Sequence, residues 1–470
     1  MIDNTASAEL FNSDLAPEEV GDLTLVSSEQ KEYVLPPPQH FLRRCWKHPR
    51  MMHYHRLVVL VALVNLAFLG YGLTDGKWWS SDGIALATLA DLVIGNFLIA
   101  ILIRQNYVIN LLFWLATRAP TSWPLSIRHS LGKIYHFGGL HSGCAVVGTL
   151  WFAVFTGSIF LHESRHSLGL STELLWVSVS LMVLLIGIVS LALPAFRSRF
   201  HNTFEIAHRF GGWAALILFW AQAVYFIRDQ NPDLDLASTL LRSHSIWMLV
   251  IITFSILLPW LRLKKVAVDI QKPSDHVALV KFDHGVTPFA GSSTPVSRNP
   301  LFEWHSFANV PSPNEEGFRL TISRAGDWTG KFIDDCPSHV WVKAIPTAGV
   351  GNIDLLFKRV IWVATGSGIG PCLPHLLAGT APAHLVWSTR DPRKTYGDDF
   401  VDEVLSVQPD ALIWDTEEKG RPDLVALAYQ ACQEFQAEAV ICIANQKLTY
   451  QVVYGMESRG IPAYGAIWDS

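Results

Sequence analysis

Apolar residues along this chain follow two rhythms. From about residue 57 to residue 261 they form near-continuous runs at 57–74, 84–103, 136–159, 173–194, 204–226 and 244–261. Each run is long enough to cross a bilayer as a helix, which needs about 20 apolar residues. After Lys265 the runs shorten. His276-Val-Ala-Leu-Val-Lys-Phe282 and Phe318-Arg-Leu-Thr-Ile-Ser323 stand between Gly, Pro and Ser-rich turns, the pattern of an antiparallel β-barrel. From about 358, short apolar runs at 360–364, 384–388, 411–414 and 439–443 alternate with helical stretches, which predicts a parallel α/β sheet. The expected organisation is a multi-domain membrane protein: a flexible cytosolic tail over 1–44, a six-helix transmembrane bundle over 45–266, a β-barrel over 267–346 and an α/β domain over 347–470.

Composition agrees with a membrane part joined to a soluble part. Half of the 470 residues are hydrophobic and 16% are charged, too apolar for one soluble domain. A net charge of -5 with no basic tract gives no footing for nucleic acid. The six cysteines are scattered without paired spacing, which points to neither a zinc site nor a disulfide framework. Residues 1–40 are acidic and polar, end in Pro36-Pro37-Pro38 and lack the apolar core of a signal peptide. Basic residues gather in alternate connections: Arg104, Arg118, Arg128 and Lys133, then Arg197 and Arg199, then Arg262, Lys264 and Lys265. The positive-inside rule therefore predicts an integral, multi-pass protein in contact with membrane lipid, with both termini in the cytosol.

The stretch Arg359-Val-Ile-Trp-Val-Ala-Thr-Gly-Ser-Gly-Ile-Gly-Pro371 reads as a buried strand that ends in a glycine loop and opens a helix. Gly366, Gly368 and Gly370 allow a tight turn and close backbone approach, so N–H groups at the helix start can face an anion. A glycine loop alone is equally well a plain turn.

Taken together, six apolar helices, a barrel and an α/β domain in this order resemble the ferric reductase and NADPH oxidase superfamily, whose cytosolic half is a ferredoxin-NADP reductase-like module. In the barrel, Glu303-Trp-His-Ser-Phe-Ala308 is similar to that family's flavin motif, with His305 and Phe307 in the flavin-facing places and Ser306 where proline is usual. Ser323-Arg-Ala-Gly-Asp-Trp-Thr-Gly-Lys331 is similar to its later flavin-binding turn, which implies that Arg324, Trp328 and Thr329 help to hold the pyrophosphate of FAD. Thr365, Gly366, Ser367, Gly368, Gly370 and Pro371 match the nicotinamide-nucleotide loop. Ser388, Arg390 and Arg393, after the next strand, suit a 2′-phosphate, so NADPH is expected ahead of NADH. Trp468 stands near the terminal aromatic that covers the flavin ring in the family, which implies a catalytic place for it beside His305. Cys442-Ile-Ala-Asn445 departs from the Cys-Gly-Pro usual after the late strand.

In the family two helices each carry two histidines about thirteen residues apart, about 20 Å of helix rise. Here the third helix offers His136 and His141 and the fifth His208, whereas the outer positions fall at Thr149 or Leu150 and at Ala221 or Gln222. The resemblance implies either a single inner haem b, held by His208 with His136 or His141, or an interfacial polar cluster without metal. The wording of the motifs is most similar to the TmpA-like branch of fungal membrane oxidoreductases. The resulting expectation is an NAD(P)H-dependent FAD enzyme that reduces a lipophilic or biosynthetic small molecule at the cytosolic leaflet, alone or with biosynthetic or signalling protein partners. Transmembrane metalloreductase or oxidase chemistry, and a non-enzymatic redox sensor, are the alternatives.

Overall fold

The computed structural model describes residues 34–80, 83–166, 170–311 and 317–466. Most of the predicted tail, and Trp468, lie outside them. Five helical stretches, Pro49–Leu73, Leu125–Leu161, Thr172–Ala192, His201–Gln230 and His244–Leu261, are long and apolar enough to cross a membrane. Within and beside them run α1 (His53–Leu73), α2 (Leu86–Leu102), α3 (Asn106–Thr117), α4 (Gly138–His166), α5 (Thr172–Ala192), α6 (His201–Gln230) and α7 (His244–Leu261). Helices thus occupy all six predicted apolar segments. The second counts as a sixth span only if α2 and α3, bent by 71° to one another, are taken as one.

Small residues and one amide pair hold α1, α2 and α4 together. A Cβ on Gly139 would stand 2.3 Å from the Tyr54 carbonyl oxygen, and one on Gly143 3.2 Å from the Val58 Cα, so α1 and α4 cross at backbone distance. Deeper in, Asn96 Nδ2 donates to Asn65 Oδ1 at 2.9 Å, and Trp151 Nε1 donates to the same oxygen at 2.9 Å. Around this pair lies an apolar core that includes Leu89, Phe152, Phe155, Leu181 and Phe219.

The basic connection between the second and third segments, expected as a loop, is helical. Gln105 turns the chain after α2, its Oε1 accepting from Tyr107 N at 2.6 Å and so capping α3. Ile109 and Phe113 on α3 enter one continuous core with Leu356, Phe357, Trp362 and Tyr464 of the α/β domain. α3 therefore serves as a platform under the C-terminal part.

The barrel region is two antiparallel sheets. One has the strand order β9-β4-β8-β1, where β1 is Leu263–Ala267, β4 Ser292–Ser297, β8 His339–Lys343 and β9 Thr347–Ala348, with β5 (His305–Ala308) also paired to β4. The other runs β2-β3-β7-β6, from Asp269–Ser274, Val277–Phe282, Phe318–Ser323 and Val310–Pro311. Helix α8 (Asp327–Asp335) follows β7, burying Phe332 and Ile333 in the barrel core.

The last part is a five-stranded parallel sheet. It contains β10 (Val360–Thr365), β11 (Ala383–Thr389), β12 (Leu412–Asp415), β13 (Ala439–Ile443) and β14 (Ala463–Gly465), in the order β12-β11-β10-β13-β14. Helices α9 (Ile369–Ala378), α10 (Leu424–Glu434) and α11 (Gln446–Glu457) join β10 to β11, β12 to β13 and β13 to β14, and two helices, Pro392–Tyr396 and Asp398–Val407, lie between β11 and β12. Val360 to Ala364 are at most 1% exposed, as a central strand covered on both faces requires. The chain leaves β10 toward β11 and later returns to β13 on its other side. The topological switch point, where such sheets bind ligands, lies at the carboxyl ends of β10 and β13.

Candidate functional site

The glycine loop sits at that switch point. Gly366 takes φ +49, a left-handed conformation that favours glycine, and its carbonyl accepts from Trp387 Nε1 at 3.0 Å. A Cβ on Gly368 would lie 2.0 Å from the Ile443 carbonyl oxygen at the end of β13, and one on Gly370 3.3 Å from Thr321 Cβ on β7. Glycine at 368 lets the loop press against the neighbouring strand, and glycine at 370 lets α9 pack on the barrel. Ser367 is exposed at the tip and Thr365 is half-buried at the strand end. The loop leads into α9, whose start presents backbone N–H groups and the positive end of the helix dipole.

Strand ends define the rest of the crevice. Thr365 is in register with Ser388, and Thr389 with Asp415. Ser388 is buried, while Arg390, just beyond, is 77% exposed and donates from Nε to Glu417 at 2.9 Å. Arg393 is paired away from it, with Asp398 at 2.8 Å and Asp402 at 2.7 Å. The structure thus places Ser388 and Arg390 at the crevice edge and ties Arg393 to the helix that follows. Asn445, in the departing late-strand motif, caps α11 by accepting from Leu448 N at 3.0 Å.

The barrel residues form an aromatic column. Trp328 stacks on His305 with ring centroids 4.2 Å apart and on Phe332 at 5.1 Å, and Phe307 lies 6.0 Å from Trp328. Burial holds the His305 imidazole below its ordinary value, so it is neutral near pH 7. Trp328 Nε1 and Thr321 Oγ1 are buried donors without a partner among the described residues. These groups fit a flat, hydrogen-bonding cofactor such as FAD, because they supply a stacking face and unsatisfied donors beside the glycine loop. Ser306 is exposed on β5. Arg324 is turned to the outer side, where its guanidinium binds Asp334 and its Nε donates to Asp275 O at 3.0 Å. Thr329 Oγ1 accepts from Ala325 N at 2.9 Å and Gly326 N at 3.1 Å, closing the start of α8.

The three helical histidines do not form one ligand set. His141 and His208 approach with ring centroids 6.2 Å apart, and His141 Nδ1 is bonded to Ala100 O at 2.8 Å. His136 is packed instead against His53 at 5.6 Å and Tyr135 at 4.3 Å. Among the described residues there is no group of three or more His, Cys, Asp or Glu placed to hold a metal ion. The fold takes His136 away from His208, so of the two expected pairings only His141 with His208 keeps its histidines side by side, and there His141 Nδ1 is already bonded to Ala100 O; a haem b on these histidines is not supported. The cysteines are all free.

Three clusters escaped sequence reading because their members are far apart in the chain. Glu457, on α11, accepts from Lys133 at 2.6 Å and from Lys47 at 2.8 Å, and is bonded to His129 at 2.8 Å. Burial works against its charge, yet Lys133, His129 and Lys47 bring its carboxyl well below the ordinary 4.5. Arg128 grips Glu438 through 2.6 and 3.1 Å bonds and donates to Leu356 O at 2.8 Å. Lys343 Nζ lies 4.6 Å from the Trp260 ring and 4.4 Å from the Trp304 ring, next to His305. The one sequence signal was the surplus of basic residues in one connection, taken above as a sign of its cytosolic side.

Comparison with known proteins adds relatives. Residues 350–470 match a family described as the C-terminal domain of adenylate-forming reductase 03009. The chain is 43% identical over 432 residues to adenylate-forming reductase 03009 of Coprinopsis cinerea, which covers 91% of this chain and 41% of that protein. It is 41% identical over 425 residues to adenylate-forming reductase 06235 of the same fungus, covering 90% and 41%. The chain therefore spans about two-fifths of the length of these relatives. Among solved structures, a ferredoxin NADP+ reductase from Neisseria gonorrhoeae with bound FAD and NADP aligns with 44% of this chain and 98% of its own, at 12% identity and TM-score 0.35. Phthalate dioxygenase reductase aligns with 44% and 69%, at 21% identity and TM-score 0.34.

Proposed function

We propose that this chain is the electron-supplying part of an NAD(P)H-dependent flavin oxidoreductase, seated in a membrane by its helical half. The observation that carries the reading is the glycine loop at the switch point, packed between the end of β13 and barrel strand β7 through Gly368 and Gly370. In support, the helix that follows the loop packs against β5, which carries His305 and Phe307 of the aromatic column. The N–H groups at the start of α9 bind the nucleotide phosphates, and Arg390 at the crevice edge offers a 2′-phosphate its guanidinium, which favours NADPH. His305, backed by Trp328 and Phe332 of α8, orients the flavin by stacking. Bound flavin supplies acceptance of a hydride from nicotinamide. Arg324 joins the pyrophosphate site only by leaving Asp334.

The relatives' name joins adenylate formation to reduction. We take the electron acceptor to be a small biosynthetic molecule, delivered on the cytosolic face where the sheets sit. The test is an absorbance spectrum of the full chain in nanodiscs, followed by anaerobic NADPH addition. Flavin bands that bleach with NADPH, and do so at least tenfold more slowly in Gly368→Val, would support the reading. A flavin-free protein that does not oxidise NADPH would overturn it, and a Soret band would restore haem.

A further inference from the structure

The helical bundle holds a cavity of about 470 Å³ at the end away from the sheets, between the first turns of α2, the last turns of α6 and the start of α7. This falls within the range of small-molecule sites, about 300–1,000 Å³. Phe152, Phe155, Phe219 and Phe226 line its walls. Gln222 belongs to the same lining and is 6% exposed, and its Nε2 is buried with no hydrogen-bond partner among the described residues. The mouth is polar, with Asp91 held by Ser245 and with Arg242 exposed. This is also the level at which α6 offers Gln222 where a second histidine would fall thirteen or fourteen residues after His208.

We propose that this cavity binds a small aromatic carbonyl compound, with its ring among the four phenylalanines and its oxygen accepting from Gln222 Nε2. Each alternative filling leaves a group unsatisfied. Water can be held at the polar mouth, where Asp91, Asn231, Thr239 and Ser243 line the cavity, but the phenylalanine walls add no partner for it. A lipid chain would satisfy the walls but leave the amide donor unpaired in an apolar pocket. An aromatic ring meets the phenylalanines in edge-to-face contacts, and a carbonyl oxygen answers the donor. The site is separate from the nucleotide crevice and stands whether or not the proposed flavin chemistry does.

The test compares fluorenone with fluorene, which differ by the carbonyl oxygen, in equilibrium dialysis against the full chain in nanodiscs without nucleotide, with empty nanodiscs as the blank. The wild-type chain should hold fluorenone about tenfold more tightly than fluorene, the size of one buried hydrogen bond. Gln222→Leu should remove that preference and leave fluorene binding unchanged, which also shows that the variant is folded. Ala90→Phe, which places a ring in the cavity, should weaken both. Equal binding of the two probes by the wild type, a preference that survives Gln222→Leu, or stoichiometric phospholipid that blocks both probes would overturn the proposal.

Discussion

Gly368 is the residue on which the nucleotide site is most exposed to a test. Its missing Cβ would meet the Ile443 carbonyl at 2.0 Å, and a backbone atom at the end of a central strand has little room to give. Gly368→Ala should cost about 1–3 kcal/mol of stability, as overpacking typically does. It should also raise the Kd for NADPH at least tenfold by titration. Gly379→Ala is the contrast: that glycine has φ +56 with open space around it, so the cost is conformational, about 1 kcal/mol, with NADPH affinity unchanged. Arg390 decides cofactor choice. Arg390→Ala should shift the ratio of kcat/KM for NADPH over NADH toward NADH about tenfold, whereas Glu417→Gln, which frees the guanidinium, should shift it the other way. Gly368 and Arg390 were legible in the sequence, because strand, loop and helix are adjacent in the chain. The commitment of Arg324 to Asp334 was not, since nothing in the spacing says which of several anions a guanidinium will take.

At the scale of elements, the strands predicted at 360–364, 384–388, 411–414 and 439–443 appear as Val360–Thr365, Ala383–Thr389, Leu412–Asp415 and Ala439–Ile443. Their apolar runs admitted one reading once flanked by turns and helices. Helix α3 was missed. Its Asn-Tyr-Val-Ile-Asn-Leu-Leu-Phe-Trp-Leu-Ala-Thr sequence is too short to span a bilayer and lies in a basic connection, so hydropathy gave it no place of its own. Its work is done by side chains that reach the barrel edge. Asn110 Nδ2 donates to Pro346 O at 2.9 Å, and Asn110 Oδ1 accepts from Ala348 N at 2.8 Å. Asn110→Leu leaves both backbone groups unpaired and should destabilise the chain by about 2–6 kcal/mol, with about 1–3 for each group. Hydrogen exchange at Ala348 should speed up while exchange in β10 stays slow.

At the scale of the whole molecule, the helical half and the α/β domain are locked by buried charge. Glu457 and Lys133 are 4% and 8% exposed, so a neutral amide in place of the carboxylate strands a buried ammonium. Glu457→Gln should cost about 3–5 kcal/mol, read as a lowered thermal midpoint. Because the folded carboxyl sits well below its ordinary 4.5, its contribution is fully present above that pH and is lost as pH falls below it. The gap in midpoint between wild type and Glu457→Gln should accordingly be constant from pH 7 to about 5 and narrow under acid. The same contacts bear on the topology argument. Arg128 and Lys133 counted toward a cytosolic connection, and both are paired within the protein, with Glu438 and Glu457.

The sequence by itself determined the order of parts, the central strand, the glycine loop and the absence of a second histidine after His208, because each is set by neighbours within a few turns of chain. Tertiary structure alone decided that His136 leaves the other two histidines, that the basic connection becomes a docking platform, and that Glu457 gathers Lys47, His129 and Lys133 from more than 300 residues away. It also decided that Gln222 faces an aromatic cavity. Local propensity fixes which elements form. The partners of a buried charge or amide are fixed only when packing removes water and leaves each polar group whatever the fold has brought beside it.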